Sequence, residues 1–472
     1  MCKGVIEASL AAGLPELLDK KRVHVTWEEL AKHNTADDLW VAIRGKVYNL
    51  TSYHKRHPGG QQFMRLGAGR DVTHLYEAYH PLSVLDSNIL EKFEIGSLKT
   101  QEYHTYPPMS RFHRALKKRV YDYLKDAKMD AQYTMWGLQS VRLALMVAAI
   151  FGLYALSTLG SVILPAPLAA STTLAILFAA LGGGARALIG VHTMHDASHG
   201  ALGNKPALWT PVGVLSNDFL NGSSFYGWLH QHILGHHQYC NTAGVDPDVR
   251  PFPFRMDKHQ EWKWYHRYQC VWGPLAYCTL SMFHRLEDLT FINEKKWDTI
   301  RMAPLSLEHQ AYFWAGKAFF FFWQLVLPGL LGVPFKHTVM CHVVGEVVGS
   351  WYLAIAFQAN HVAEDIEFQT ISEGGACLED WAVMQARTTQ DYGHGSLATF
   401  VLTGGLNYQV VHHLLPGVSQ LHYKDIQPIV KKTCEDFGVM YNHRPTFAAA
   451  VGSHIRHLYN MGIPPALKTK AN

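Results

Sequence analysis

The sequence predicts a multi-domain chain of two unlike parts: a small α+β domain, then an all-α membrane domain with about four transmembrane helices and a cytosolic helical cap. Three observations carry that expectation. Residues 24–98 mix a helix-capping signal, two short alternating strands and glycine punctuation, as a compact soluble domain does. Two apolar segment pairs follow, each long enough to cross a bilayer twice. Three histidine clusters lie just beyond those pairs.

Composition suits a chain that is part soluble and part membrane. Of 472 residues, 48% are hydrophobic and 17% are charged, against roughly 25% charged in soluble domains. The net charge of +4 is too small to point to nucleic acid, yet it suits an anionic membrane surface. The cysteines at positions 2, 240, 270, 278, 341, 377 and 434 form no CxxC pair. Their odd number argues for reduced thiols facing the cytosol. The stretch MCKGVIEASLAAGLPELLDKK lacks the apolar core of a signal peptide, so internal spans are expected to direct insertion.

In chain order, residues 1–23 read as a tail. Thr26 and Glu29 in TWEE form a capping box that opens a helix. LWVAIRGKVYNL alternates as two strands about Arg44-Gly45, and HPGG breaks the chain at 57–60. Residues 99–137, with RFHRALKKR at 111–119, read as a polar, basic linker and juxtamembrane segment. No charge occurs from Leu143 to Ala185, room for two spans with a turn at Pro165 and Pro167. The basic cluster and Arg186 then fall on the cytosolic side. The second pair is 314–335 and 338–358. His342 and Glu346 in its second member share a helix face, so pairing with each other is expected. CVWGPLAYCTLSMF, 270–283, is too short to span and reads as re-entrant or interfacial. The membrane domain is set at 138–460 and a C-terminal tail at 461–472.

The glycines of HPGG permit close approach to a planar group, and His57 can supply an axial imidazole to a haem iron. His80 follows at the end of an expected helix. Two imidazoles on one haem exclude O2 and make an electron carrier. The alternative is that His57 begins a turn and His80 merely precedes Pro81. With DVT, YEAYH and IGSL, residues 24–98 resemble cytochrome b5 throughout, which implies haem b held by His57 and His80.

The clusters are HDASH (His195, His199), HILGHH (His232, His236, His237) and QVVHH (Gln409, His412, His413). Residues three or four apart share a helix face, whereas His412 and His413 lie about 100° apart. An adjacent pair covers the wider arc that two metals need. Two crossings separate the second cluster from the third, so all three can meet on one face. Imidazoles suit zinc, copper, iron or nickel. Seven histidines exceed zinc's three or four ligands and suffice for two irons. An attached haem donor also favours redox iron. A lone HxxxH is commonly incidental packing, but three clusters at corresponding places are not.

The order haem domain, HDASH, HILGHH, QVVHH is similar to that of front-end fatty acid desaturases, in which cytochrome b5 is fused to a membrane di-iron enzyme. The resemblance covers residues 24–460, with QHILGHHQYCN, DPDV and GGLNYQVVHH in matching places. It implies a further ligand histidine after the fourth span, which FQANHV supplies as His361. It also implies two non-haem irons, O2 as co-substrate, and electrons passed from an NADH-cytochrome b5 reductase. The substrate would be a polyunsaturated C18–C22 acyl chain on CoA or phospholipid, the membrane that of the endoplasmic reticulum, with the haem domain and clusters facing the cytosol. The new cis double bond would lie between an existing one and the carboxyl end, with carbon 5 or carbon 4 favoured. Where family members commonly carry glutamate before HH, this chain has Val411; at 409 many relatives have histidine and the front-end group has glutamine. Gln409 could therefore bind iron weakly, bind through water, or orient a neighbour. Asp196, Asn241, Asp246 and Asp248 are candidates to hydrogen-bond ligand histidines. Competing readings are a membrane di-iron lipid hydroxylase, a sphingolipid desaturase, an intramembrane zinc protease (Asp196 standing in for the HExxH glutamate) and a membrane-anchored electron carrier or metal-binding protein.

Overall fold

A computed structural model describes residues 23–132, 136–250, 252–297, 299–369 and 371–465. Most of the expected N-terminal tail and the end of the C-terminal tail lie outside the described residues. The chain divides into two compact units after Thr105.

The first unit is built on a five-stranded sheet of order β1-β5-β3-β2-β4: β1 Val23–Val25, β2 Trp40–Ile43, β3 Lys46–Asn49, β4 Arg70–Asp71 and β5 Glu94–Leu98. Arg44 and Gly45 both have positive φ, 53° and 75°, so the predicted β2–β3 connection is the two-residue turn that matches strand twist. Half of the expected capping box forms: Thr26 Oγ1 accepts from the Glu29 amide, while the Glu29 carboxylate takes Lys32 instead. Leu39, Val41, Ile43, Tyr48, Val72 and Phe93 pack one face of the sheet.

The second unit is helical. Among the described residues, four helices are long and apolar enough to cross a membrane: Gly137–Ser157 (span 1), Thr172–Ser198 (span 2), Leu307–Leu330 (span 3) and Phe335–His361 (span 4). Pro165 and Pro167 sit in the turn between spans 1 and 2, as expected. Span 4 has 27 residues and is about 40 Å long, some 10 Å more than a hydrocarbon core. Its last three residues, Ala359, Asn360 and His361, are buried in protein. Spans 2 and 4 touch through glycine. A Cβ added to Gly183 would stand 2.2 Å from the Gly345 carbonyl oxygen, so nothing larger fits.

Three local expectations are corrected. His342 and Glu346 do not pair. Glu346 takes both Arg186 (2.8 Å) and Arg285, and His342 Nδ1 meets Gln324 Oε1 at 3.0 Å. Arg186 lies inside span 2, not beyond its end. Within 99–137, the helix Arg111–Asp126 is no free tether: Phe112, Leu116, Val120 and Leu124 are buried, and Arg119 reaches Asp436 of the helix Tyr423–Phe437.

Candidate metal centre

In the first unit, the rings of His57 and His80 face each other with centroids 5.9 Å apart. Two imidazoles binding one metal from opposite sides stand about 6 Å apart. Nδ1 of His57 lies 3.3 Å from the Gly60 carbonyl and Nδ1 of His80 lies 2.9 Å from that of Tyr76. Each Nδ1–H donates to its carbonyl, which makes Nε2 the ring nitrogen that carries the lone pair. Gly59 is required, because a Cβ there would lie 2.8 Å from His57 Cε1. Burial also pushes the His57 pKa down, which keeps the ring neutral and able to ligate.

In the second unit the three clusters converge as two sets, bridged by His237, whose ring nitrogen also shares a locus with those of His412 and His413. His195, His199, His232 and His412 bring one nitrogen each into a common locus, and His236, Cys240, His361 and His413 form a second. All eight side chains are buried. Within the first set, His232 Nε2 lies 3.2 Å from His195 Nε2, 3.0 Å from His199 Nε2 and 3.2 Å from His237 Nε2. His237 Nε2 in turn lies 3.1 Å from His412 Nε2. Nitrogens that share one metal at about 2.1 Å stand roughly 3 Å apart.

Backbone winding decides which histidine serves which set. Residues 229–236 form a π-helical stretch, as do 190–194 before His195. In an α-helix a residue five positions on is rotated about 140° away. With i→i+5 bonding it comes over the first. His237 thus reaches His232, five residues earlier, and His236 is released to the second set. The adjacent pair His412 and His413 divides in the same way, one ring to each set, on the short helix Gln409–Leu414.

Outer contacts fix the rings. His236 Nδ1 lies 3.2 Å from Asp246 and 3.4 Å from Asp248. His412 Nδ1 lies 2.9 Å from Tyr423 Oη, and His413 Nδ1 lies 2.7 Å from Gln385 Oε1. His413 Nε2 is buried with no protein partner, a lone pair left for a metal. Of the four polar candidates, Asp246 and Asp248 contact a cluster ring. Asp196 pairs with Arg142 at 2.9 Å, and Asn241 donates to the His361 carbonyl at 2.9 Å, so neither touches a ring nitrogen. Gln409 sits at the second set: its Nε2 is 2.9 Å from His361 Nε2, and its Oε1 accepts from Asn360. Val411 is buried packing. Tyr423 and Gln385 had no signal in the sequence, because each comes from a helix without a motif; Asp248 also accepts from Gln231 Nε2 (2.7 Å).

Burial first, and the crowding of other imidazoles second, hold the pKa values of His199, His232, His237, His412 and His413 well below the ordinary value. Five neutral imidazoles with convergent lone pairs repel one another unless a cation joins them. Around His236 burial acts the same way, but Asp246 and Asp248 outweigh it and raise its pKa to about 9. A carboxylate behind a ligand imidazole raises its basicity toward a metal. The donor set is nitrogen-rich and doubled, as a pair of irons requires.

A cavity of about 80 Å³ opens beside the first set. Met194, Trp228 and Phe357 line its end next to the histidines, and Trp228 stacks on His232 at 4.3 Å. Its other end carries Arg186, Arg285 and Glu346.

The fatty acid desaturase family profile matches residues 170–445, and the cytochrome b5-like heme/steroid binding domain profile matches residues 26–99. An acyl-lipid (8-3)-desaturase of Mortierella alpina is 41% identical over 93% of this chain and 97% of its own. A Delta(5) fatty acid desaturase of Dictyostelium discoideum is 39% identical over 93% of this chain and 94% of its own. An acyl-lipid (7-3)-desaturase of Rebecca salina is 29% identical, over 93% and 94%.

Proposed function

This chain belongs to the fatty acid desaturase family, with a cytochrome b5 domain ahead of the desaturase domain, and from that membership we propose a front-end desaturase that places a cis double bond at carbon 5 of a polyunsaturated acyl lipid. It is a membrane oxidoreductase that uses haem and a di-iron pair. The single observation that carries the site is the convergence of the three histidine clusters on two buried donor sets, one of four histidines and one of three histidines with Cys240.

His195, His199, His232, His237 and His412 would hold one iron, and His236, His361 and His413 the other. His57 and His80 would hold the haem. The di-iron pair, when bound, supplies the O2 activation that hydrogen removal from an unactivated methylene requires. The protein's residues do the rest. Asp246, Tyr423 and Gln385 fix ring orientation and tautomer. Gln409 orients His361 and takes its other bond from Asn360. Trp228, Met194 and Phe357 give the acyl chain an apolar wall and exclude water next to the reacting carbons.

Carbon 5 is supported by the names of the more similar relatives. The same names favour a lipid-bound acyl chain over acyl-CoA. The electron donor is read as an NADH-cytochrome b5 reductase. The site is read as facing the cytosol from the endoplasmic reticulum, in keeping with the reduced cysteines. The test is expression in yeast fed C18, C20 and C22 polyenes, with product mapping by gas chromatography and mass spectrometry. A new bond at carbon 5 in a C20 chain is expected. Hydroxylated chains would turn the assignment to a hydroxylase, and unchanged lipids with every substrate would refute it.

A further inference from the structure

The helices Gln269–Ala276 and Leu280–Glu294 are joined by a 3-10 turn and together form an inside-out element. Their outward stripe is Val271, Leu275, Met282, Leu286 and Leu289, each between 42% and 70% exposed. No charged side chain shares that stripe. The element's Arg285 and Asp288 turn inward and are buried, with Arg285 on Glu346 of span 4 and Asp288 on Lys317 of span 3. An apolar face of this length is not stable against water. Basic residues stand at both ends, Lys263 and Arg267 before it and Lys295 and Lys296 after it, with Trp264 and Tyr268 exposed beside the first pair. Basic residues at both ends, with aromatic ones at the first, mark headgroup level at both ends. The element therefore enters and leaves the membrane on one side.

Its depth follows from its partners. Ser281 N donates to Ser350 Oγ (3.0 Å), and Arg285 meets Glu346. Those span 4 residues lie roughly 16 to 22 Å from its His361 end at 1.5 Å per residue. Span 4 itself is exposed at Val343, Val347 and Trp351. The same helix also walls the cavity, to which it contributes Leu280, Ser281, His284, Arg285 and Asp288. One layer of protein thus separates lipid from the site. On the span 2 side of the cavity, the Gly183–Gly345 contact leaves no gap. On the Leu280–Glu294 side, the Ser281–Ser350 bond and the Arg285–Glu346 pair close the seam.

We propose that this element lies in the hydrocarbon of the leaflet nearest the histidines, and that a bilayer-resident acyl lipid enters the cavity sideways through the seam between Leu280–Glu294 and span 4. The inference rests on the acyl-lipid reading of the site. An acyl chain that comes from water, such as a CoA thioester, would not need that seam.

The test uses the full chain in yeast microsomes. A Ser281→Cys, Ser350→Cys double variant is bridged with a short bis-methanethiosulfonate and then released with reductant; the parent chain is treated alongside. Bridging is expected to lower product formation at least about tenfold, with recovery on reduction and no change in iron or haem content. A bridged variant that keeps its rate would overturn the sideways route. Independently, Leu275→Cys and Leu286→Cys should resist a membrane-impermeant maleimide until detergent is added; labelling in intact microsomes would overturn the lipid seat. An inactive parent would count against the desaturase reading, not against the seam.

Discussion

Gln385 Oε1 accepts a hydrogen bond from His413 Nδ1 at 2.7 Å, and His413 Nε2 stays buried and unbonded at the second nitrogen set. An amide oxygen can only accept, so this one contact fixes both the tautomer and the direction of the ring. Gln385→Leu is expected to lower iron occupancy of the second set and product formation by roughly 10- to 100-fold. Haem absorbance should stay unchanged. Iron analysis beside product analysis checks it, and full iron with full activity would show that His413 needs no such partner.

Gln409 and His413 separate in the same assay. Gln409→His puts an imidazole where the amide meets His361, and some activity should survive. His413→Ala removes a nitrogen that nothing else replaces, and no product should form. If both variants worked alike, the second set would be ordinary packing.

The haem pair gives an independent readout. Gly59→Ala drives a methyl group into His57 Cε1 and should weaken haem retention. His80→Ala should abolish the Soret band. Both should leave non-haem iron bound, because the two units carry separate sites. Loss of non-haem iron in His80→Ala would contradict that separation.

The clusters could be read from sequence because helical spacing is local: His195 with His199 and His232 with His236 need only a count of residues. The allegiance of His237 could not, since it depends on a π-helical widening that leaves no mark in composition. Glu346 failed for another reason. Its nearest candidate in sequence was His342, but Arg186 and Arg285 come from 160 and 61 residues away. The spans themselves were legible from apolar length alone. The helix Arg111–Asp126 was not, because its basic surface hid a buried stripe.

Glu346 also makes a stability prediction. Glu346→Gln would leave Arg186 and Arg285 facing each other in an apolar setting without their shared carboxylate. Removing one partner of a buried ion pair costs about 3–5 kcal/mol, so the thermal midpoint in detergent should fall by many degrees. A midpoint within a degree or two of the parent would show that water reaches both guanidinium groups.

Acid should loosen the C-terminal helix Phe447–Gly462. His454 is buried there, with Nδ1 on the Val362 carbonyl and Nε2 on Tyr277 Oη. Burial brings its pKa from 6.5 down to about 4. The unfolded state therefore binds the extra proton between those values, and stability falls as pH drops through that window, by about 3 kcal/mol in all. Above pH 6.5 this group costs nothing. Hydrogen-exchange protection factors over 447–462, corrected for the intrinsic slowing of exchange in acid, should fall from pH 7 to pH 5 and fall less in His454→Gln. Equal pH dependence in both proteins would assign the effect elsewhere.

The account turns on two nitrogen sets that hold two irons. The most direct measurement is the ratio of non-haem iron to haem in the purified full chain and in single histidine variants. The parent should give two non-haem irons per haem, and His199→Ala and His413→Ala, one from each set, should each lose iron while the haem remains. A parent ratio near one, zinc in place of iron, or variants that keep both irons would contradict it.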